Sequence, residues 1–140
     1  MYTPVSSRAA NAYRQVGVQS SVAGASPHQL IQMLFDGLLQ TLNEARGAMQ
    51  RREVDAKGRL LGKAVRILEE GLKGALGPEG GELTTNLHAL YTYCVNRLTL
   101  ANLRSDETLV AEVVALIEPV AQSWGSIGGA AQQQDRGAGA

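Results

Sequence analysis

Two histidines and one cysteine are the side chains of this chain most suited to chemistry. His88 lies in a helical pattern and points away from the apolar stripe, as a phosphotransfer histidine must. Such domains, however, commonly place lysine and glycine just after the H-x-L run, where they stabilise phosphate charge and give access. The run His88-Ala89-Leu90-Tyr91-Thr92 contains neither. A solvated surface histidine is the favoured interpretation, and phosphotransfer through His88 is the alternative.

The remaining reactive residues favour structural roles. Cys94 falls in the middle of an apolar stripe, where a buried thiol behaves as a small apolar group. His28 belongs to the first turn of a predicted helix, which favours a role in the capping turn. A single cysteine excludes an internal disulfide and any multi-cysteine zinc site. No inward-facing Glu-x-x-His pair and no nucleotide or protease motif occurs. We therefore expect no enzyme, no cofactor and no metal.

Charge and hydropathy exclude further classes of protein. Thirteen basic residues balance thirteen acidic ones, whereas a protein held to nucleic acid by phosphate neutralisation should be basic. No run approaches 18 consecutive apolar residues, and the N-terminus has no apolar signal-peptide core. The sequence predicts a cytoplasmic protein without nucleic-acid binding or membrane insertion.

Leucine and alanine dominate the apolar residues, so an all-α fold is expected. Ser26, Pro27 and Gln29 form a capping box that begins the first helix. Further helices are predicted at about 55–76 and 82–102, and a fourth, capped by Ser105, ends near Trp124. Short connections make these an antiparallel up-and-down four-helix bundle. The chain divides into an N-terminal arm (1–25), the bundle (26–125) and a flexible, disordered C-terminal tail (126–140).

The fourth helix carries two apolar stripes. The first, expected to face the core, comprises Leu109, Val113, Leu116, Val120 and Trp124; the second comprises Val110, Val114, Ile117 and Ala121. Because a four-helix core buries one stripe per helix, the second stripe should be covered by the arm, a second copy of the chain or a partner. Pro119 should kink this helix. The second helix is rich in glycine, so packing must hold it.

Asn86, Tyr93 and Arg97 border one edge of the third helix's core stripe, beside Leu90. A boundary arginine commonly either extends its charged end to solvent along the apolar surface or pairs with a carboxylate of a neighbouring helix. The alternative is a recognition surface, in which Asn86 satisfies both the N–H and the C=O of a bound peptide.

Several segments together resemble a known family. They are Tyr13, the run ASPHQLIQMLFDG at 25–37, GGEL at 80–83, NL at 86–87, LYTY at 90–93, RL at 97–98, AN at 101–102 and Trp124. In this order and spacing, residues 10–125 resemble the FliS family of flagellin-specific export chaperones. Phe35 stands where tyrosine is frequent in the family, and Pro119 is atypical.

The resemblance implies a cytosolic chaperone of the flagellar type III secretion pathway, with no cofactor, nucleotide or metal. Such a chaperone binds the C-terminal segment of newly made flagellin, prevents its premature polymerisation and delivers it to the export machinery. The residues expected to bind flagellin are Tyr13, Asn86, Leu90, Tyr93, Arg97, Val110, Val114 and Ile117. A purely structural helical homodimer is, besides phosphotransfer, the other alternative.

Overall fold

The computed structural model describes residues 24–78 and 80–138, with side chains as far as residue 127. Helix α1 spans Pro27–Gln50, and α2 spans Val54–Arg66 and continues as a π-helical segment, Ile67–Leu72. Helix α3 spans Gly81–Arg104 and α4 spans Glu107–Ala138. Helix α1 packs on α2 and α4, and α3 packs on the same two neighbours. The described chain is an all-α four-helix bundle, as predicted. Tyr13 and nearly all of the predicted arm lie outside the described residues.

The capping box at the start of α1 is confirmed. The backbone N–H of Gln29 donates to Ser26 Oγ at 3.1 Å, and the backbone N–H of Ser26 donates to Gln29 Oε1 at 2.8 Å. Pro27 occupies the first helical position, where its missing N–H costs nothing. This cap fixes where α1 begins and therefore which of its faces meets the core.

The core runs the length of the bundle and is made of aliphatic side chains from all four helices. Its largest fully buried members are Phe35, Leu34, Leu38, Leu42, Leu61, Ile67, Leu68, Leu98, Ile117, Val110 and Val113. One predicted core residue, Leu83, is instead 67% exposed. It lies in the first turn of α3, near the end of the bundle, and α2 with its π-helical segment has already ended at Leu72.

Both stripes of α4 contribute to the core, and Leu109 and Val113 of the first stripe are buried as predicted. Val110 and Ile117 of the second stripe are fully buried, and Val114 is 7% exposed. Leu116 and Val120 of the first stripe are only partly buried. The prediction of a spare second stripe was wrong, because α4 contacts both α1 and α3 and its core-facing arc is wider than one stripe.

The glycine-rich α2 is held by packing, as expected, and its winding changes at Ile67. At the end of the π-helical segment, the backbone N–H of its C-cap, Lys73, donates to the C=O of Leu68, five residues back, at 2.9 Å. Ile67 and Leu68 are adjacent in sequence and both fully buried. Gly74 follows the segment, and a Cβ there would collide with the carbonyl oxygen of Glu70. A residue without a side chain is thus required at position 74, directly after the π-helical segment.

The turn between α3 and α4 differs from the prediction that Ser105 caps α4. Ser105 is the C-cap of α3, in the left-handed conformation with φ of 51°. Asp106 caps α4 instead, since its carboxylate accepts the backbone N–H and the hydroxyl of Thr108 at 3.0 and 2.6 Å. A carboxylate is a good N-cap because it also opposes the helix dipole.

Helix α4 continues through Pro119 and past Trp124 to Ala138. Among the side chains that the structure describes, Trp124 is the last that packs against the core, and residues 125–127 are exposed. The helical backbone therefore continues into the segment predicted as a tail, whose alanine and glutamine residues favour helix.

Candidate partner-binding surfaces

An apolar groove opens at the end of the bundle where α1 begins. The groove encloses about 290 Å3. It is lined by residues of all four helices and of the loop after Leu72, namely Pro27, His28, Ile31, Leu72, Ala75, Leu76, Leu87, Tyr91 and Trp124. Ile31 and Leu87 are only partly buried, so the apolar wall is open to solvent. A groove of this kind accepts the apolar face of an amphipathic segment.

Trp124 and His28 form one rigid wall of this groove. Their rings are stacked, with centroids 4.4 Å apart and planes 7° from parallel. The Trp124 indole N–H donates to the backbone carbonyl of His28 at 3.0 Å. The contact ties the last packed turn of α4 to the first turn of α1. His28 thus belongs to the groove wall, whereas the sequence placed it only in a capping turn.

A second surface is the seam between α3 and α4, where a polar cluster joins the two helices. The Tyr93 hydroxyl donates to Glu112 Oε2 at 2.5 Å, and Arg97 Nε donates to Glu112 Oε1 at 2.8 Å. The Arg97 guanidinium carbon lies 5.6 Å from the centre of the Tyr93 ring. Of the two structural roles expected for Arg97, the structure shows pairing with a carboxylate of a neighbouring helix.

The hydrogen bonds of this cluster shift its pKa values. Bonds from Tyr93 and then Arg97 lower the pKa of Glu112, because both stabilise the ionised carboxylate. The same bond to Glu112 raises the pKa of Tyr93. At neutral pH the cluster therefore contains one anion, one cation and one neutral phenol.

Asn86 and Leu90 lie on α3 on the same side as this cluster. Asn86, Leu90, Tyr93 and Arg97 follow one another at steps of four, three and four residues. This spacing places all four side chains on one face of the helix. Asn86 is exposed and Leu90 is partly buried. The sequence grouped these residues correctly, and it missed their acidic counterpart on α4, Glu112.

Val110, Val114 and Ile117, which the sequence proposed as partner contacts, lie in the core and cannot be reached by a partner in this structure. Leu116 and Val120 are partly buried and follow Glu112 at four-residue spacing. They therefore continue the face of α4 that carries Glu112. The apolar contacts that α4 offers at this seam come from the stripe expected to be buried.

The residues with reactive side chains show no catalytic arrangement in the described part of the chain. Burial raises the pKa of the Cys94 thiol to about 12, so it stays protonated, as predicted for a buried core thiol. His88 is exposed on α3. Among the side chains described, those of residues 24–78 and 80–127, no three His, Cys, Asp or Glu residues are grouped as a metal site requires. Among the same residues, no helix is both long and apolar enough to cross a membrane.

Fold and surfaces together define a small helical bundle with an open apolar groove at one end and a mixed polar and apolar seam along one side. A family model described as flagellar protein FliS matches residues 9–131. The chain is 47% identical over 125 residues to the flagellar secretion chaperone FliS of Salmonella typhimurium, covering 89% of this chain and 93% of that protein.

Two further relatives agree. FliSB of Pseudomonas aeruginosa is 46% identical to this chain, over 86% of this chain and 95% of its own length. FliS of Escherichia coli is 49% identical, over 81% of this chain and 84% of its own length. Both are named flagellar secretion chaperones. The chain belongs to the FliS family of flagellar secretion chaperones.

Proposed function

We propose that this chaperone binds the C-terminal segment of flagellin in the cytosol, prevents its premature polymerisation and delivers it to the flagellar type III export machinery. The observation that supports this most is the open apolar groove at the start of α1. A chaperone must offer apolar surface to a client segment that is not yet assembled. The groove offers such surface on a scaffold whose core is already filled.

In this proposal the client's apolar face enters the groove beside Ile31, Leu87 and Trp124. The flank of α3 then provides polar contacts through Asn86, Tyr93 and Arg97, with Leu90 between them. Tyr93 and Arg97 are already held by Glu112, so their outward-facing groups are positioned before the client arrives. Prepositioned side chains lose little conformational entropy on binding. Tyr13 remains a proposed contact from the arm.

The test compares two leucine substitutions on one helix. Leu87→Glu places a charge in the groove, while Leu103→Glu changes an exposed leucine at the opposite end of α3. By titration calorimetry with a peptide of the flagellin C-terminus, Leu87→Glu should weaken binding by at least about tenfold, since burying a charge costs several kcal/mol. Leu103→Glu should bind as the wild type does. Wild-type affinity in Leu87→Glu, with circular dichroism unchanged, would refute the groove as the client site.

The flank of α3 is tested separately. Asn86→Ala and Tyr93→Ala each remove a hydrogen-bonding partner, and such losses cost about 1–3 kcal/mol, or roughly 5- to 150-fold in affinity. Delivery is tested by flagellin secretion from cells that lack their own chaperone of this family. Restored secretion by the wild type but not by Leu87→Glu would connect the groove to export.

A further inference from the structure

Lys57 is a buried cation at the end of the bundle opposite the groove. Its side chain is only 8% exposed. Its ammonium donates to the carbonyl oxygen of Asn102 at 3.2 Å and to Ser105 Oγ at 2.7 Å. An ammonium has three N–H donors, so one is left over. In the described part of the chain, no carboxylate lies within 4.0 Å of the Lys57 ammonium nitrogen, and no third acceptor is bonded to it.

The nearby carboxylates are engaged elsewhere. Glu53 accepts from Arg51 Nε at 2.7 Å. Asp106 accepts from Thr108, and Glu107 is held by α1 through Arg46 and Gln50. The positive charge of Lys57 therefore has no counter-ion among these groups, and an unpaired buried charge is costly.

A cavity of about 340 Å3 opens beside this lysine. It is lined by Ala48, Met49, Arg52, Glu53, Val54, Lys57 and Ser105. Arg52 adds a second cationic residue to the lining. Val54 is 68% exposed, and Leu103, which follows Asn102, is 81% exposed. The lining thus contains two cationic residues, one carboxylate, that of Glu53, which accepts from Arg51, and the largely exposed Val54.

We infer that this cavity is a binding site for a carboxylate carried between apolar residues of a partner protein, such as a glutamate flanked by leucines. The carboxylate would accept the third N–H of Lys57 and neutralise its charge, and a flanking apolar side chain would cover the exposed Val54. Charge complementarity is the reason for choosing an acidic partner, because the free donor is a buried ammonium. The site lies at the opposite end of the bundle from the groove and is independent of the flagellin proposal.

The test uses NMR on the full chain with the peptide acetyl-Leu-Glu-Leu-amide as probe and acetyl-Leu-Gln-Leu-amide as neutral control. The Lys57 ammonium signal and the backbone amides of Arg52, Val54 and Ser105 should shift and saturate with the glutamate peptide. The glutamine peptide should bind at least about tenfold more weakly, because a charge-assisted hydrogen bond is lost. Shifts that do not saturate, or that the two peptides cause equally, would overturn the proposal. Acetate binding as tightly as the peptide would also overturn it, since the site would then take small carboxylates rather than a partner protein.

Two variants locate the effect. Lys57→Gln should weaken binding of the glutamate peptide by at least about tenfold, whereas Lys63→Gln, an exposed lysine on the same helix, should leave it within about twofold. Equal affinity in Lys57→Gln and wild type would refute the assignment. Because Lys57 also caps α3, its replacement could unfold this end of the bundle, and the ammonium signal of the wild type then decides the question by itself.

Discussion

Trp124 should stabilise the bundle through two separable contacts, the stack on His28 and the hydrogen bond to the His28 carbonyl. Trp124→Phe keeps an aromatic ring for stacking and removes the N–H donor, which typically costs about 1 kcal/mol. Trp124→Ala removes both contacts. A fully buried tryptophan changed to alanine costs about 3–5 kcal/mol, so a partly buried one should cost about half, roughly 2 kcal/mol.

These energies translate into melting temperatures that can be distinguished. For a chain of this length, 1 kcal/mol shifts the melting temperature by about 3–5 °C. We therefore expect a loss of roughly 4 °C for Trp124→Phe and roughly 8 °C for Trp124→Ala. Thermal unfolding should be followed by circular dichroism at 222 nm, because Trp124 is the only tryptophan and both variants lose its fluorescence.

Ile127→Ala is the matched control, since Ile127 follows on the same helix and is largely exposed. Its melting temperature should stay within about 2 °C of the wild type, as expected for a surface substitution. Equal losses in Trp124→Phe and Trp124→Ala would show that the stack contributes nothing. An unchanged melting temperature in both variants would show that the contacts between Trp124 and His28 do not stabilise the bundle.

Four other outcomes can be measured directly. Ile117→Ala should lower the free energy of unfolding in urea by about 2–5 kcal/mol, because the side chain lies in the core. A decrease below about 1 kcal/mol would contradict its burial. Cys94 should react with Ellman's reagent at pH 8 only after denaturation, since its raised pKa and burial keep the thiol protonated and covered. The lowered pKa of Glu112 adds stability that is complete above about pH 4.5, its ordinary pKa, and is lost as the pH falls through the lower folded value. The stability difference between wild type and Glu112→Gln should therefore narrow from pH 7 to pH 3, and an unchanged difference would contradict it. Gly74→Ala should lower the melting temperature, because the new methyl meets a backbone carbonyl.

Much of the fold follows from local patterns in the sequence. The capping box at Ser26, the leucine spacing of α1 and the glycine-proline break after Leu76 each act over a few residues, so each can be recognised without tertiary information. The helix order and the antiparallel arrangement then follow from short connections. The position of Cys94 in the core was predictable for the same reason.

What the sequence could not decide depends on contacts between helices. The two stripes of α4 are equally apolar, and only the positions of α1 and α3 determine that Val110 and Ile117 are buried while Leu116 remains partly accessible. Likewise, the flank of α3 could be drawn on a helical wheel, but its partner Glu112 depends on the register between α3 and α4. The groove could not be predicted from the sequence, because residues from all four helices line it.

The π-helical segment Ile67–Leu72 gives α2 a tolerance to changes in length. Its hydrogen bonds close rings one residue longer than those of an α-helix, so the segment contains more chain than α-helical winding needs. Loss of one residue at Glu69 or Glu70 could be absorbed by rewinding as α-helix, with Leu72 still facing the groove. The same loss within Val54–Arg66 would turn every following side chain by about 100° and carry the apolar stripe out of the core. Single-residue deletions that preserve the groove should therefore be tolerated better in this stretch of α2 than in Val54–Arg66.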